Sequence, residues 1–586
     1  MFGGIHMRYT LSEKEINITV DLLLNKYEIS TQFLNDLYGR RHKSDTEAIL
    51  SELQYSELDK KKLCRLLVIN EGVNLFAGSS ENKRKLRKKI LDKMPDTLIE
   101  QLYHKYYDKK KNITSVSYMR KPLAEKKWYA GKRWANDFIE AAGFPRILAG
   151  IATDRTETKR SFETIYPRKR VPKLEDYQVD IKEKLLGILK KQEDKTRCMI
   201  SLPTGGGKTR VAVEAFLEWM QYRFDENKYM IWIAQSEELC EQCISCIEEL
   251  WKDREFVLPL KVYRYFSKYD FPDDDELSGG VVVAGINKLY YNINDERVAY
   301  ILKNTGAMII DEAHRAITYM YDELLKKANE ETGGSLFPIC GLTATPGRNT
   351  LISDSEVNKL VDMFQMNLIT PVFSEVKKYK DNPIDYFKER QFLARVNHIV
   401  INSGIEYRLT EEEVKELEEK NEYAPSFLKT LAKDTRRNLL IVKRLLKIKR
   451  GQPTLVYACT VEHAIFLSSI MNALGRKSAS INSDTNKTER RIIINEFKNG
   501  KIDFLFNYGV LTTGFDAPKT RNIVICRPIN SNILYEQIIG RGIRGIKFGG
   551  TEECDVIDFS DNIHNFGEQK AFMRFKEYWD REREES

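Results

Sequence analysis

The rhythm of apolar and polar positions changes twice along the chain. From Leu11 to about Ala149, segments such as LSEKEINITVDLLLNKY, DTEAILSELQYSEL and DKKKLCRLLVI place apolar residues at three- and four-residue steps. That spacing gathers them on one stripe of a helix and predicts a small helical domain. Between Arg155 and Arg170 the chain turns polar and basic, TDRTETKR then YPRKRVP, with prolines flanking the run. A linker or an exposed strand is expected there. Beyond it, short β-rich runs alternate with helical stretches: Cys198 to Leu202, Tyr229 to Ala234, Val281 to Ala284, Met308 to Ile310 and Ile339 to Leu342. Alternation of this kind predicts a parallel, doubly wound sheet. A second set follows at Thr454 to Tyr457, Ser478 to Ile481, Phe504 to Asn507, Asn522 to Ile525 and Asp555 to Asp558. Residues 349–452 between the two sets carry the charged helical stretch Glu411 to Glu422 and the helix Arg436 to Lys449, too much for a simple loop. The fold class is therefore α/β, two parallel-sheet lobes in tandem after a mostly α-helical domain, with units at 1–155, 156–370 and 371–586.

Composition narrows this picture. A length of 586 residues exceeds what one hydrophobic core serves, and 42% hydrophobic with 31% charged residues suits globular structure throughout. The apolar runs are far shorter than a bilayer span, so no membrane segment is expected. The opening MFGGIHMRYTLSEKE lacks the regions of a signal peptide, and nine cysteines in so long a chain form no disulfide framework. A cytoplasmic location is expected. The net charge of +8 is unevenly spread: residues 1–170 hold 34 Lys and Arg against 22 Asp and Glu, a net of +12, which leaves −4 for the rest. Lysines and arginines bind nucleic acid by displacing its counterions, so the basic first part makes a polyanionic partner plausible.

The candidate chemistry begins at Ser201-Leu-Pro-Thr-Gly-Gly-Gly-Lys-Thr209, which follows an apolar run and precedes the helical stretch Arg210 to Met220. This is the strand, loop and helix context of a phosphate-binding loop. Pro203, Thr204, Gly205, Gly206 and Gly207 form the loop whose backbone N–H groups turn toward phosphate, Lys208 reaches the β and γ phosphates of ATP, and Thr209 is a ligand for Mg2+. The general pattern has glycine where this chain has Leu202, so a second motif is needed. It is supplied by Asp311-Glu-Ala-His314, directly after the strand-like AMII. Asp311 then sits at the carboxyl end of a strand and suits the metal, while Glu312 is placed to orient or deprotonate the attacking water.

With these motifs in order, the chain resembles the superfamily 2 helicases, in particular the DEAH-signature branch containing restriction-enzyme motor subunits and related DNA repair or defence translocases. The likeness runs from about Lys173 to Asp561 and implies that both lobes are recA-like. Leu174-Glu-Asp-Tyr-Gln178 looks like the family's upstream glutamine motif, which implies that Gln178 reads the adenine edge. WIAQSEEL, from Trp232, and VVAGINKL, from Val282, look like elements that touch the nucleic-acid backbone, and Thr343-Ala-Thr-Pro346 like the motif that couples the ATP site to the strand. In the second lobe LVYACTVEHA, from Leu455, and LTTGFDAP, from Leu511, resemble motifs IV and V. The resemblance gives Gly514 and Asp516 to the nucleotide, with Asp516 on the ribose, and puts Thr512 and Thr513 near phosphates. Gln537-Ile-Ile-Gly-Arg-Gly-Ile-Arg544 is similar to motif VI, which implies that Gln537, Arg541 and Arg544 face the γ-phosphate from across the cleft.

Residues 1–170 lie outside the resemblance. Lys83-Arg-Lys-Leu-Arg-Lys-Lys89 is a run of cations, and Lys126-Lys-Trp-Tyr-Ala-Gly-Lys-Arg-Trp134 combines cations with aromatics; both suit nucleic acid. The alternative is a solvated helix face with Trp128, Trp134 and Phe138 packed inward. Cys240, Cys243 and Cys246 have iron–sulfur-like spacing without a fourth ligand, and Glu125-Lys-Lys127 with Asp108 fits a nuclease motif poorly; both are set aside. The expected function is ATP-dependent movement along nucleic acid, DNA in preference to RNA, with a role in antiviral defence or DNA repair. A second reading is an ATP-gated nucleic-acid sensor that holds a protein partner through residues 1–155.

Overall fold

The computed structural model describes residues 9–38, 40–55, 58–107, 115–151, 162–165, 171–221, 227–253, 258–272, 277–344, 354–372, 383–403, 405, 407–420, 422–511, 517–529 and 532–559. Among them, fourteen strands form two sheets. The first contains β1 (Phe162–Ile165), β2 (Arg197–Ser201), β3 (Tyr229–Ala234), β4 (Leu260–Tyr265), β5 (Gly280–Gly285), β6 (Thr305–Asp311), β7 (Ile339–Thr343) and β8 (Leu368–Ile369). Their spatial order is β1-β4-β5-β3-β6-β7-β2-β8. All pair in parallel except β1, which runs antiparallel to β4 with Phe162 opposite Tyr263.

The second sheet contains β9 (Arg395–Ile401), β10 (Thr454–Tyr457), β11 (Ser478–Ile481), β12 (Phe504–Asn507), β13 (Asn522–Ile525) and β14 (Glu553–Phe559). It is wholly parallel, in the order β11-β12-β10-β13-β14-β9. The inner strands are continuous apolar runs because helices cover both faces; every residue of β3, β7, β10, β12 and β13 is buried.

The ten strands expected from apolar runs are present, and four others are not marked by such runs. β1 and β8 are short edge strands. In β4, LKVYRY, polar side chains interrupt the apolar ones. β9, RVNHIVI, has every side chain exposed or half-exposed. β8 pairs with β2 in the first sheet, and β9 pairs with β14 in the second.

The first part of the chain is helical, as its periodicity predicts, with helices that include Arg40–Glu52, Lys60–Glu71, Glu81–Lys93, Val116–Glu125 and Arg133–Ala142. Its own core is strongly aromatic, with Phe76, Trp128, Trp134, Phe138 and Phe144 in one cluster. Trp128 and Trp134 are 8% and 5% exposed. Their rings pack against Phe138, at centroid distances of 5.4 and 5.8 Å, so they do not serve as open stacking platforms. Even Arg87 is drawn in, donating to the carbonyls of Phe76 and Gly78 at 2.7 and 3.0 Å while its guanidinium lies over the Trp128 ring.

This helical domain precedes the first sheet in the chain but sits on the second lobe. Ile49 and Leu50 enter the same core as Val442, Leu445, Leu467 and Ile470, and Val73 and Ile151 pack with Ile492. Hydrogen bonds ring these contacts. Asn70 Nδ2 donates to Ser469 Oγ at 2.5 Å, Asn472 Nδ2 to Asn70 Oδ1 at 3.0 Å, and Asn74 Nδ2 to Glu489 Oε1 at 2.7 Å. The backbone N–H groups of Tyr9 and Thr10 donate to the Glu496 carboxylate at 3.2 and 3.1 Å.

Cys240, Cys243 and Cys246 lie on the helix Glu237–Asp253, where the first two are fully buried in the first-lobe core and burial pushes the Cys246 thiol up to about 12. Glu125 ends the helix Val116–Glu125 and is exposed, while Asp108 lies outside the described residues. Among the described residues no helix is long and apolar enough to cross a membrane.

Candidate nucleotide cleft

Three neighbouring strands of the first sheet, β6, β7 and β2, deliver the candidate residues to one edge. Asp311 stands opposite Leu342, and Ser201 opposite Thr343. The acidic pair, Thr343 and the glycine-rich loop therefore come together because a parallel sheet ends its strands in register. From β2 the chain turns through Pro203 and Thr204, with Gly206 N donating to Pro203 O at 2.9 Å. Gly205 and Gly207 both have φ of +86°, which a side chain rarely tolerates. The helix Lys208–Gln221 follows at once, so its positive end faces the loop. Leu202, at the position where the general pattern has glycine, is fully buried, and its carbonyl accepts from Lys208 Nζ at 3.1 Å.

The cleft is electrostatically tense. Desolvation lowers the Lys208 pKa, opposed by Glu312 and Asp311. Burial pushes the Asp311 carboxyl up to about 7; the Glu312 charge adds to this, and Lys208 works against it. Glu312 has the left-handed φ of 51° in a residue that is not glycine, a strained backbone of the kind that concentrates at functional sites. Its side chain points back to His314, with Nδ1 3.4 Å from Oε2. His314 Nδ1 also lies 3.2 Å from Thr343 Oγ1, tying the β6 edge to the β7 edge. Farther out, Arg315 donates to Gln235 Oε1 at 2.9 Å, which connects the acidic segment to the loop after β3.

The second lobe closes the cleft with the helix Asn532–Ile539 and the turn after it. Gln537 is 9% exposed, and its carbonyl accepts from Arg541 Nε at 3.2 Å. Arg541 is near enough to the Lys208 ammonium to depress its pKa. The Arg544 side chain approaches Gly205, where an added Cβ would stand 3.5 Å from Arg544 Cγ. A Cβ on Gly540 would collide with the Thr204 side chain, so the two lobes touch where only hydrogen fits. Beside this contact is a cavity of ≈ 90 Å³ lined by Pro203, Thr204 and Ala344 of one lobe and Glu536, Ile539 and Ile543 of the other.

Gln178 is 1% exposed on the helix Asp176–Leu189. Its Oε1 accepts from Glu175 N at 3.1 Å, and its Nε2 donates to Gly206 O at 3.3 Å. Tyr177 OH donates to that same carbonyl at 2.9 Å. In the sequence motif Tyr177 stands only as a neighbour of Gln178. The Tyr177 ring packs on Phe387 and Phe392, at 4.9 and 5.4 Å. The segment around Phe392 is hydrogen-bonded to the turn that carries Arg544, through Gly545 N to Phe392 O at 2.9 Å and Ala394 N to Ile543 O at 2.8 Å. No motif marked that segment; it emerges only when β9 is seen to begin beside the turn. Thr512, Thr513, Gly514 and Asp516, with Thr345 and Pro346, lie outside the described residues.

Residues 172–348 match the family described as type III restriction enzyme, res subunit, and residues 437–545 match the helicase conserved C-terminal domain. The chain is 27% identical over 395 residues to the putative ATP-dependent helicase IRC3 of Saccharomyces cerevisiae, covering 66% of this chain and 51% of that protein. It is 23% identical to the putative mitochondrial ATP-dependent helicase irc3 of Schizosaccharomyces pombe, covering 69% and 60%. With the type I restriction enzyme EcoKI endonuclease subunit of Escherichia coli the identity is 23%, covering 59% and 31%. The chain thus spans between about half and three fifths of the length of the two helicases. Among solved structures, a fragment of a putative HsdR subunit of a type I restriction enzyme from Vibrio vulnificus aligns with a TM-score of 0.46 at 20% identity, covering 70% and 68%. Residues 1–171 fall outside both family matches. The chain thus carries a restriction-enzyme res-subunit domain and a helicase C-terminal domain, one after the other on two parallel-sheet lobes, and is similar over both to ATP-dependent helicases.

Proposed function

We propose that this chain hydrolyses ATP between its lobes and uses the closing and opening of the cleft to move along nucleic acid. The observation that carries this reading is the convergence on one cleft of Lys208, Asp311 and Glu312 from the first lobe with Arg541 and Arg544 from the second. In this reading the N–H groups of Gly205 to Gly207 and the start of the helix Lys208–Gln221 cradle the phosphates. The Lys208 ammonium leaves the Leu202 carbonyl for a phosphate oxygen. Thr209 and Asp311 fit a magnesium ion, which when bound would neutralise charge on the phosphates. A buried carboxyl held up near 7 beside a lysine is the kind of donor that a cation would stabilise in its ionised form. Glu312 orients the attacking water and takes its proton, with His314 fixing its side chain. Arg541 and Arg544 stabilise the charge that develops on the transferred group, a contribution of about 10³ to 10⁵ in rate for such arginines generally.

Gln178 and Tyr177 hold the loop by the Gly206 carbonyl, and Gln178 retains a place near the base. Gly514 and Asp516 are assigned to the nucleotide on their motif alone. The units 1–155, 156–370 and 371–586 serve as accessory domain, first motor lobe and second motor lobe. DNA is the preferred track because motif VI and the restriction-subunit relatives lean that way, and the same relatives support a place in defence or repair.

The test is ATP turnover by the full chain with single-stranded DNA, duplex DNA and RNA in parallel. Turnover is expected to rise most with DNA and to vanish in Lys208→Ala. Wild-type rates in that variant would remove the assigned site, and stimulation by RNA alone would replace the track.

A further inference from the structure

The helical domain carries a cationic face of its own, built over the helices Glu81–Lys93 and Val116–Glu125. These two helices run side by side in opposite directions. Arg120 donates to the carbonyls of Leu91 and Met94 at the end of the first helix, while Arg87, a turn earlier, lies over Trp128 just beyond the second. Helical spacing then fixes which cations border the seam. Arg84 and Lys88, four residues apart and both exposed, lie one above the other on the first helix, and Lys121 is exposed on the second. Lys127 follows, with its ammonium 5.2 Å from the centre of the Tyr129 ring. Tyr118, one turn from Lys121 on the same helix, and Tyr129, beside Lys127, are 74% and 54% exposed, whereas Trp128 and Trp134 are buried.

This face does not float. The apolar seat of Ile49, Leu50, Val73 and Ile151, with the hydrogen bonds from Asn70 and Asn74, attaches it to the second lobe. A nucleic-acid strand has the charge complementary to the face, and unpaired bases suit its open tyrosines.

We propose that the helical domain is a second nucleic-acid grip, formed by Arg84, Lys88, Lys121 and Lys127 with Tyr118 and Tyr129, and carried as one body with the second lobe. It rests on the reading of the chain as a nucleic-acid motor. Each closing of the cleft shifts this grip relative to the first lobe, so the strand is held at a point outside the two-lobe track.

The experiment is fluorescence anisotropy of the full chain on a tailed DNA duplex and a blunt one across a salt series. Wild type is compared with Arg84→Ala/Lys88→Ala/Lys121→Ala/Lys127→Ala and with Tyr118→Ala/Tyr129→Ala. The cation variant is expected to bind at least about tenfold more weakly at low salt. Its slope of log affinity against log salt should be shallower by about 0.9 for each phosphate that it no longer neutralises. The tyrosine variant should lose affinity for the tailed duplex and keep it for the blunt one. ATP turnover without nucleic acid and melting temperature should match wild type for both variants. Equal affinity and slope in wild type and the cation variant would overturn the second grip while leaving the motor intact. Failure of the wild type to bind any DNA would instead overturn the motor reading on which the grip depends. Loss of capture of a protein partner without any change on DNA would assign the face to protein, also against the proposal.

Discussion

The second lobe has two junctions, and they are built differently. At the candidate nucleotide cleft it meets the first lobe through glycine against threonine, a small cavity and charges whose pKa values are displaced: Gly540 against Thr204, and Arg541 within reach of Lys208. At the seat of the helical domain it shares a hydrophobic core, with Ile49 and Leu50 among its own residues and asparagines bonded across the edge. Shared apolar burial stabilises in one geometry and disappears on separation, at roughly 25 cal/mol for each Å² exposed. A junction of charges and small residues gives up much less when it opens, and it leaves room for a ligand to decide. The first junction is suited to cycling and the second to staying shut.

The largest test of this contrast is Gly540→Ala. The added methyl meets Thr204, so the lobes stop short and the arginines stand off; turnover of ATP should fall about 10²-fold, as a misplacement of about 1 Å generally costs. Nucleotide binding measured by titration should change much less, since Lys208 and the glycines of the loop keep their places and only the Thr204 side chain is met. An unaltered rate would mean that catalysis does not need this closure.

On the other junction, Leu50→Ala removes a side chain that is 4% exposed and should lower stability by about 2–5 kcal/mol, read from denaturant unfolding. Limited proteolysis should release the helical domain sooner while basal turnover persists. Coincident loss of both activity and structure would show that the seat supports the cleft directly.

The smallest effect is expected between the lobes, where Arg490 of the helix Lys487–Lys498 pairs with Glu238 at 3.1 Å. Glu238 is about half-exposed, so Glu238→Gln should change stability by no more than ~1 kcal/mol. A larger loss would place a fixed contact where the contrast expects a loose one.

Much of the two-lobed fold is legible from residue patterns. The alternation from Cys198 onward specified parallel strands because both faces of such a sheet are covered, which makes the inner strands continuously apolar. β9 escaped because it is an edge strand with no buried side chain, and β4 because a charged residue and a half-buried lysine break its run. In the candidate cleft, motifs mark Lys208, Asp311, Glu312, Arg541 and Arg544, which the fold brings together. Tyr177 was overlooked because a tyrosine before a glutamine has no signature until its hydroxyl is seen on the Gly206 carbonyl. The tryptophans of the helical domain were ambiguous in sequence because helical spacing fits a core stripe and a binding face equally well.

The sequence by itself determined the local alternation of strand and helix, the glycine-rich loop before its helix and the carboxylates at a strand end. These are set by neighbours along the chain, through backbone sterics and side-chain periodicity. Only the tertiary structure decided that Arg544 approaches Gly205, that Gly540 admits no side chain, and that the first domain in the chain rests on the last lobe. Those contacts join residues hundreds of positions apart, and which surfaces meet depends on shape and desolvation summed over whole lobes, a quantity that no local pattern carries.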